Sequence, residues 1–225
     1  MSSVHLIADS TCDLAADQAE ELGITIVPLK VIIGDQVFAD GVDIDPATLY
    51  ARMRSSPVVP RTSQPTPAEF EAVFAEVGRD GAPIVCTTIS ADMSGTYSSA
   101  AQARAALPDL DIRVIDTRTV GPTHRQVVDA LSRAAAAGAG PDDLEAIAAA
   151  VGETQQLVFT VESLEYLRRG GRIGGARALL GSMLNIKPIL ELRGGVVQPL
   201  DRVRTFPRAL DRLIDELRTS AAAWG

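Results

Sequence analysis

The chain has 225 residues, 46% of them apolar, enough for one large or two small domains and too many core-forming side chains for disorder. Its formal net charge of −8 leaves no overall basic field to draw in nucleic acid, and it repels the chain from anionic membranes. Small molecules and proteins are the expected partners, with no nucleic acid and no stable membrane insertion.

The first element is Val4-His5-Leu6-Ile7-Ala8, a buried strand. Its apolar run is short and closes at Asp9, so it is not a signal peptide, and no stretch approaches the ~18 apolar residues of a membrane-spanning helix. Ser10-Thr11-Cys12-Asp13 has the pattern of a helix start, with Leu14 and Leu22 on one face and Gly23 as the stop. Ile24 to Ile33 is β-branched and expected to pair with Val37-Phe38 across Gly34-Asp35-Gln36, a hairpin insertion near 24–45. Asp45-Pro46 opens the next helix.

Pro83 to Ile89 is a strand, followed by a helix to Leu107 and the strand Ile112 to Asp116. Strands alternating with helices predict an α/β domain over residues 1–152, a mostly parallel sheet with helices on both faces. An Ala-rich helix ends near Ala137-Gly138-Ala139-Gly140-Pro141, which reads as a linker, and a helix from Asp142 to Val151 leads into Leu157-Val158-Phe159-Thr160. Residues 153–225 have a different texture. A helix ends at Arg168-Arg169-Gly170-Gly171, a second runs through Leu179-Leu180, and a hairpin joins Ile186–Leu192 to Val196–Val203. A last helix carries Leu210, Leu213, Ile214 and Leu217 on one face. This part reads as a smaller α+β domain.

In an open parallel sheet, ligands bind beyond the carboxyl ends of the strands. Asp9-Ser10-Thr11 and the stretch from Ser90 to Ser94 follow two such strands and are expected on one edge. Thr66-Pro67-Ala68-Glu69 is explained as a capping box, but nothing structural requires Thr62 and Ser63 upstream of it. Ser94 has the character of an N-cap, and the helix behind it offers free N–H groups to an anion. With Thr62 it makes a neutral, donor-rich site able to hold a carboxylate or a phosphate.

Ser94 as a nucleophile would need a base, and the two histidines, His5 in the first strand and His124 in a loop after Thr123, have no spacing that ties them to it. Asp9 and Asp116, both ending strands, could act as an acid–base pair or simply terminate turns. No zinc-type cluster or dinucleotide fingerprint is present: GGRIGG follows a helix and has the wrong glycine spacing. Cys12 and Cys86 read as reduced core residues of a cytoplasmic protein. Arg168, Arg169, Arg172 and Arg177 are either a solvated face or a basic patch for an acidic partner or phosphorylated substrate.

Several stretches resemble, in order, the DegV family, which includes bacterial fatty-acid-binding proteins. They are Asp9-Ser10-Thr11-Cys12-Asp13-Leu14, Asp40-Gly41-Val42-Asp43-Ile44, Thr62-Ser63-Gln64-Pro65, Ser94-Gly95-Thr96-Tyr97 and Val114-Ile115-Asp116-Thr117. Leu164 to Gly174 and Leu180 to Pro188 complete the set. The resemblance implies a two-domain carrier, not an enzyme and without cofactor or metal, that holds a long-chain fatty acid in a slot between its domains. Such a protein presents the carboxylate to a separate fatty acid kinase, which makes acyl phosphate for phospholipid synthesis. Thr62 and Ser94 match the family's carboxylate-binding positions, with Ser63, Gly95 and Thr96 beside them. Arg172, with Arg169, matches the position of kinase docking.

Leu179, Leu180, Met183, Leu184 and Ile186 are expected either to line the slot or to pack a core. Two departures stand out. Gly121-Pro122-Thr123-His124-Arg125-Gln126 replaces a small, glycine-rich stretch, and the family's C-terminal segment, with its His and Gly-Pro-Gly loop, has no counterpart before Gly225. The competing readings are an enzyme acting on a small acid or phosphoester through Ser94 or Asp9, and a degenerate interaction module.

Overall fold

The structure is a computed structural model that describes residues 4–56 and 58–224, without the side chains of 182–185, 223 and 224. Met183 and Leu184, expected as slot or core residues, therefore lie outside the described side chains. The chain falls into two compact units, Met1–Gln155 and Gln156–Gly225.

Unit 1 is built on a four-stranded parallel sheet of order β2-β1-β6-β7. These strands are β1 (His5–Asp9), β2 (Ile24–Val27), β6 (Ile84–Thr88) and β7 (Ile112–Asp116). β1 is central, pairing Leu6 with Ile24 on one side and His5 with Ile84 on the other. Because side chains alternate along a strand, Leu6 and Ala8 point to one face and Ile7 to the other. Leu6 and Ala8 pack against Val127, Val128 and Leu131 of α5 (Pro122–Ala136) and Leu144 of α6 (Pro141–Thr154). Ile7 and Cys86 pack against Phe70 and Phe74 of α3 (Pro67–Val77) and Ala100 and Ala103 of α4 (Thr96–Ala106). Helices thus cover both faces, which is why consecutive residues, Leu6-Ile7-Ala8 in β1 and Ile84-Val85-Cys86 in β6, are apolar and not alternating.

The run from Ile24 to Ile33 is not one strand. Pro28 and Leu29 interrupt it, and β3 (Lys30–Ile33) turns into a second sheet with β4 (Gln36–Ala39) and β5 (Arg61–Ser63). Proline cannot donate to a central ladder, so the chain changes sheets there. The turn at Gly34-Asp35 closes the expected hairpin, and Val31 pairs with Thr62 on the other side of β3. Asp45 caps α2 (Pro46–Ser55), and Thr66 and Glu69 form the capping box of α3. The start at Ser10 is a short 3-10 turn capped by Asp9, with Asp13 in the left-handed region, and α1 (Ala16–Glu21) begins only after it. Ala137–Pro141 joins two helices within unit 1 and is not a boundary between units.

Unit 2 is an antiparallel sheet of order β10-β9-β8, from β8 (Leu157–Thr160), β9 (Lys187–Arg193) and β10 (Val196–Val203), with α7 (Glu165–Gly170) and α8 (Phe206–Trp224). The segment through Leu179 and Leu180 is 3-10 helix (Gly174–Asn185), not α-helix. It lies so close to β10 that a Cβ on Gly174 would collide with the Val197 carbonyl oxygen, and one on Gly175 with Gln198 Oε1. The last two glycines of GGRIGG, Gly174 and Gly175, therefore serve close packing, whereas Gly171 ends α7 in the left-handed region.

Candidate functional site

The strand order of the parallel sheet reverses between β1 and β6, the position where open α/β sheets hold ligands. Asp9 ends β1 there and is fully buried. Its Oδ1 accepts from Thr11 N–H (2.9 Å) and Thr11 Oγ1–H (2.6 Å), and its Oδ2 accepts from Ile89 N–H (2.6 Å). A buried carboxylate without such partners would cost several kcal/mol, and these three donors offset that cost. Both oxygens of Asp9 are thus engaged in structure. Asp116 likewise accepts from Ala91 N–H (3.1 Å) and Arg118 N–H (2.9 Å) through Oδ1.

His124 is not in a loop. It lies in the first turns of α5 and is fully buried. Its Nδ1 is 3.2 Å from Thr11 Oγ1 and its Nε2 is 3.1 Å from Thr87 Oγ1. Thr11 gives its hydroxyl proton to Asp9, so the network assigns the ring proton to Nδ1, donating to Thr11; the single Thr87 hydroxyl proton then goes to Nε2 at 3.1 Å in preference to the Ile7 carbonyl at 3.5 Å. Burial pushes the imidazole pKa below its ordinary value, against an opposing pull from Asp9. His5, expected in the core, instead pairs with Asp80 at 3.0 Å and is partly exposed. Cys12 and Cys86 are free and buried, and desolvation raises both thiols, Cys12 to about 11.

Ser90–Gly95 forms a tight turn. Ser90 N–H donates to the Thr119 carbonyl (2.9 Å), and the Ser90 carbonyl accepts from Met93 (3.0 Å) and Ser94 (3.1 Å) N–H. The turn holds Ser94 one residue too early to cap, and the N-cap of α4 is Gly95. Ser94 Oγ lies 2.8 Å from Thr96 Oγ1 and accepts weakly from Thr96 N–H at 3.4 Å. Thr96 is buried and Ser94 half-buried.

The second arm comes from β5. Thr62 is exposed, while Ser63 is half-buried and donates to the Gln64 carbonyl (3.1 Å). The Gln64 side chain lies on Gly95, where an added Cβ would stand 2.8 Å from its Nε2. The structure therefore brings Ser94, Gly95 and Thr96 together and places the β5 arm against them through Gln64. Gln64 was legible only as part of the Thr62–Pro65 motif, and Thr11, Thr87 and His124 carried no periodic signal at all.

The two arginines lie in unit 2. Arg169 Nε donates to Glu165 Oε1 (2.5 Å), and Arg172 Nη1 donates to the Gly170 carbonyl (2.5 Å). Arg168 and Arg169 together hold the Glu165 carboxyl well below the usual range. Among the described residues, no group of three or more His, Cys, Asp or Glu side chains is arranged to hold a metal, and no helix is long and apolar enough to cross a membrane.

These features define an α/β protein with a hydroxyl-rich edge at the switch point of a parallel sheet, where Asp9 and Asp116 are tied down by backbone amides, and a separate antiparallel unit. The chain belongs to the DegV family, whose family model matches residues 3–225. A DegV domain-containing protein of Streptomyces coelicolor is 38% identical over 93% of this chain and 74% of its own length. A DegV family protein from Thermus thermophilus, solved as a fatty-acid-binding protein, matches with TM-score 0.89 and 32% identity over 97% of this chain and 78% of that one. A stearic-acid-binding protein from Eubacterium ventriosum matches with TM-score 0.88 and 30% identity over 98% and 77%.

Proposed function

We propose that this chain binds a long-chain fatty acid, takes its carboxylate on the hydroxyls of Thr62 and Ser94 and the amides at the start of α4, and presents it to a separate fatty acid kinase. Ser63, Gly95 and Thr96 complete the anion-binding set. The observation that carries this reading is the meeting of two arms at one helix end, Gln64 of the β5 arm lying on Gly95 of the Ser94 arm. A carboxylate needs donors when it leaves water, and hydroxyls with helix-end amides supply them without a buried counter-charge. The acyl chain supplies most of the affinity, at about 0.8 kcal/mol per buried CH₂. The fatty-acid ligands of the Thermus and Eubacterium relatives support the ligand class.

Catalysis through Ser94 gains no support from its surroundings. Its hydroxyl faces Thr96, whereas the nitrogens of His124 face Thr11 and Thr87. The kinase as partner rests on the family resemblance and on the arginines at the end of α7.

Native mass spectrometry of protein purified without added lipid tests the reading. Co-purified fatty acid is expected, and its retention should fall in the Thr62→Ala, Ser94→Ala double variant while the fold, followed by circular dichroism, is kept. Protein that is always empty, and whose melting temperature ignores added fatty acid, would sink the carrier reading.

A further inference from the structure

The loop that carries Ser94 is exposed at Ala91 and Asp92 and is tied to the sheet edge through the amides of Ile89, Ser90 and Ala91. One of those ties, Asp9 Oδ2 to Ile89 N–H, is short and fully buried, and it is the last link of a longer chain. The chain starts at Thr87 on β6 and passes through His124 on α5 and Thr11 in the first 3-10 turn. From Thr11 it reaches Asp9 at the end of β1 and then the first amide beyond β6. It leaves β6 and returns to it two residues later, having crossed three other elements and the switch point.

We propose that Asp9, Thr11 and His124, with Thr87, are positioning residues that set the place of Ser94. This deepens the carrier reading and rests on it for the role of Ser94. The Thr11 hydroxyl is the hinge of the chain, because it both donates to Asp9 and accepts from His124. Removing it leaves Asp9 Oδ1 with the backbone donor of Thr11 alone and leaves the His124 Nδ1–H facing no acceptor. Both groups are then free to shift, and the hold on Ile89 loosens. The backbone bond from Gly121 N–H to the Thr11 carbonyl (2.8 Å) does not depend on the hydroxyl, so α5 keeps its seat.

Thr11→Val keeps the shape and deletes the hydroxyl, whereas Thr11→Ser keeps the hydroxyl. Amide hydrogen exchange of the ligand-free proteins over 89–95 should be about tenfold faster in Thr11→Val, with β7 and α6 unchanged, and should return to within about twofold of the native rate in Thr11→Ser. Affinity for cis-parinaric acid, a fluorescent long-chain fatty acid, should follow the same order, about tenfold weaker in Thr11→Val. Native exchange in Thr11→Val, or equally fast exchange in Thr11→Ser, overturns the proposal.

If Ser94→Ala weakens cis-parinaric acid binding while Thr11→Val alters neither exchange nor affinity, the carrier reading stands and the positioning chain falls. If native protein does not bind the probe, the carrier reading falls. The exchange pattern alone then decides whether the chain places Ser94.

Discussion

At the carboxyl edge of the unit 1 sheet, Asp9, Thr87, Ser90, Thr96 and His124 are buried, and each is held by a specific hydrogen bond. On the helices of unit 2, Arg168, Arg169 and Arg218 pair with Glu165 and Asp215 in open solvent. Polar side chains thus do different things in the two regions. A buried donor or acceptor that loses its partner costs about 1–3 kcal/mol, because water cannot replace the partner. An exposed ion pair is screened, and solvent takes over when it breaks. This edge of unit 1 should therefore be sensitive to the loss of single atoms where the helix surfaces of unit 2 are not.

The sharpest test of this contrast is Asp9→Ala. It leaves three donors without their acceptor, two of them backbone amides at the ends of adjacent strands. The expected loss is about 3–5 kcal/mol, read from urea unfolding followed by circular dichroism. A loss below about 1 kcal/mol would show that water reaches the site and that the contrast with unit 2 is overdrawn.

A second test uses pH. Burial lowers the folded-state pKa of His124 below the ordinary value near 6.5, so the unfolded chain takes up the proton first. The stability that depends on the neutral ring is complete above pH about 6.5 and is lost as pH falls from there through the lower folded-state pKa. Asp13 has the opposite sign. Desolvation and the neighbouring Asp40 raise its pKa, so protonation favours the folded state, in a window set by carboxylate pKa values. The difference between native and His124→Gln unfolding midpoints from pH 8 to pH 5.5 isolates the histidine. The native midpoint should fall more steeply toward acid. Parallel curves would mean that the ring is not held neutral by burial.

The backbone of unit 1 was legible because its strands are short β-branched runs bounded by turns and helical patterns: Pro83–Ile89 and Ile112–Asp116 match β6 and β7. The site was legible only in part. The hydroxyls behind β6 mark Ser94, and hydroxyls that no cap requires mark Thr62 and Ser63, but the turn closed by the Ser90 carbonyl moves the cap from Ser94 to Gly95. The helical place of His124 is not written in the sequence, because Thr123 and His124 are weak helix formers and the partners of the buried ring, Thr11 and Thr87, lie far away in sequence. Periodicity likewise marks α8 as amphipathic but cannot say how much of the stripe is covered. Leu213 is half-buried, whereas Leu210, Ile214 and Leu217 are exposed.

The smallest effect on stability is expected at the proposed docking arginines. In Arg169→Ala with Arg172→Ala, Glu165 keeps both bonds from Arg168 (2.9 and 2.8 Å), so the clamp at the end of α7 survives. The melting temperature should fall by no more than about 3 °C, because Arg169 leaves a screened pair and Arg172 leaves its bond to the Gly170 carbonyl. Fatty-acid retention should also be unchanged, because neither residue belongs to the proposed carboxylate set. What should fall is acyl phosphate formation when the loaded protein is mixed with a fatty acid kinase, since complementary surface charge acts on encounter between proteins. Full acyl phosphate formation would remove the arginines from the docking surface. A large drop in melting temperature would instead show that unit 2 uses these side chains as unit 1 uses Asp9, and the distinction between the two regions would fail where it is most exposed.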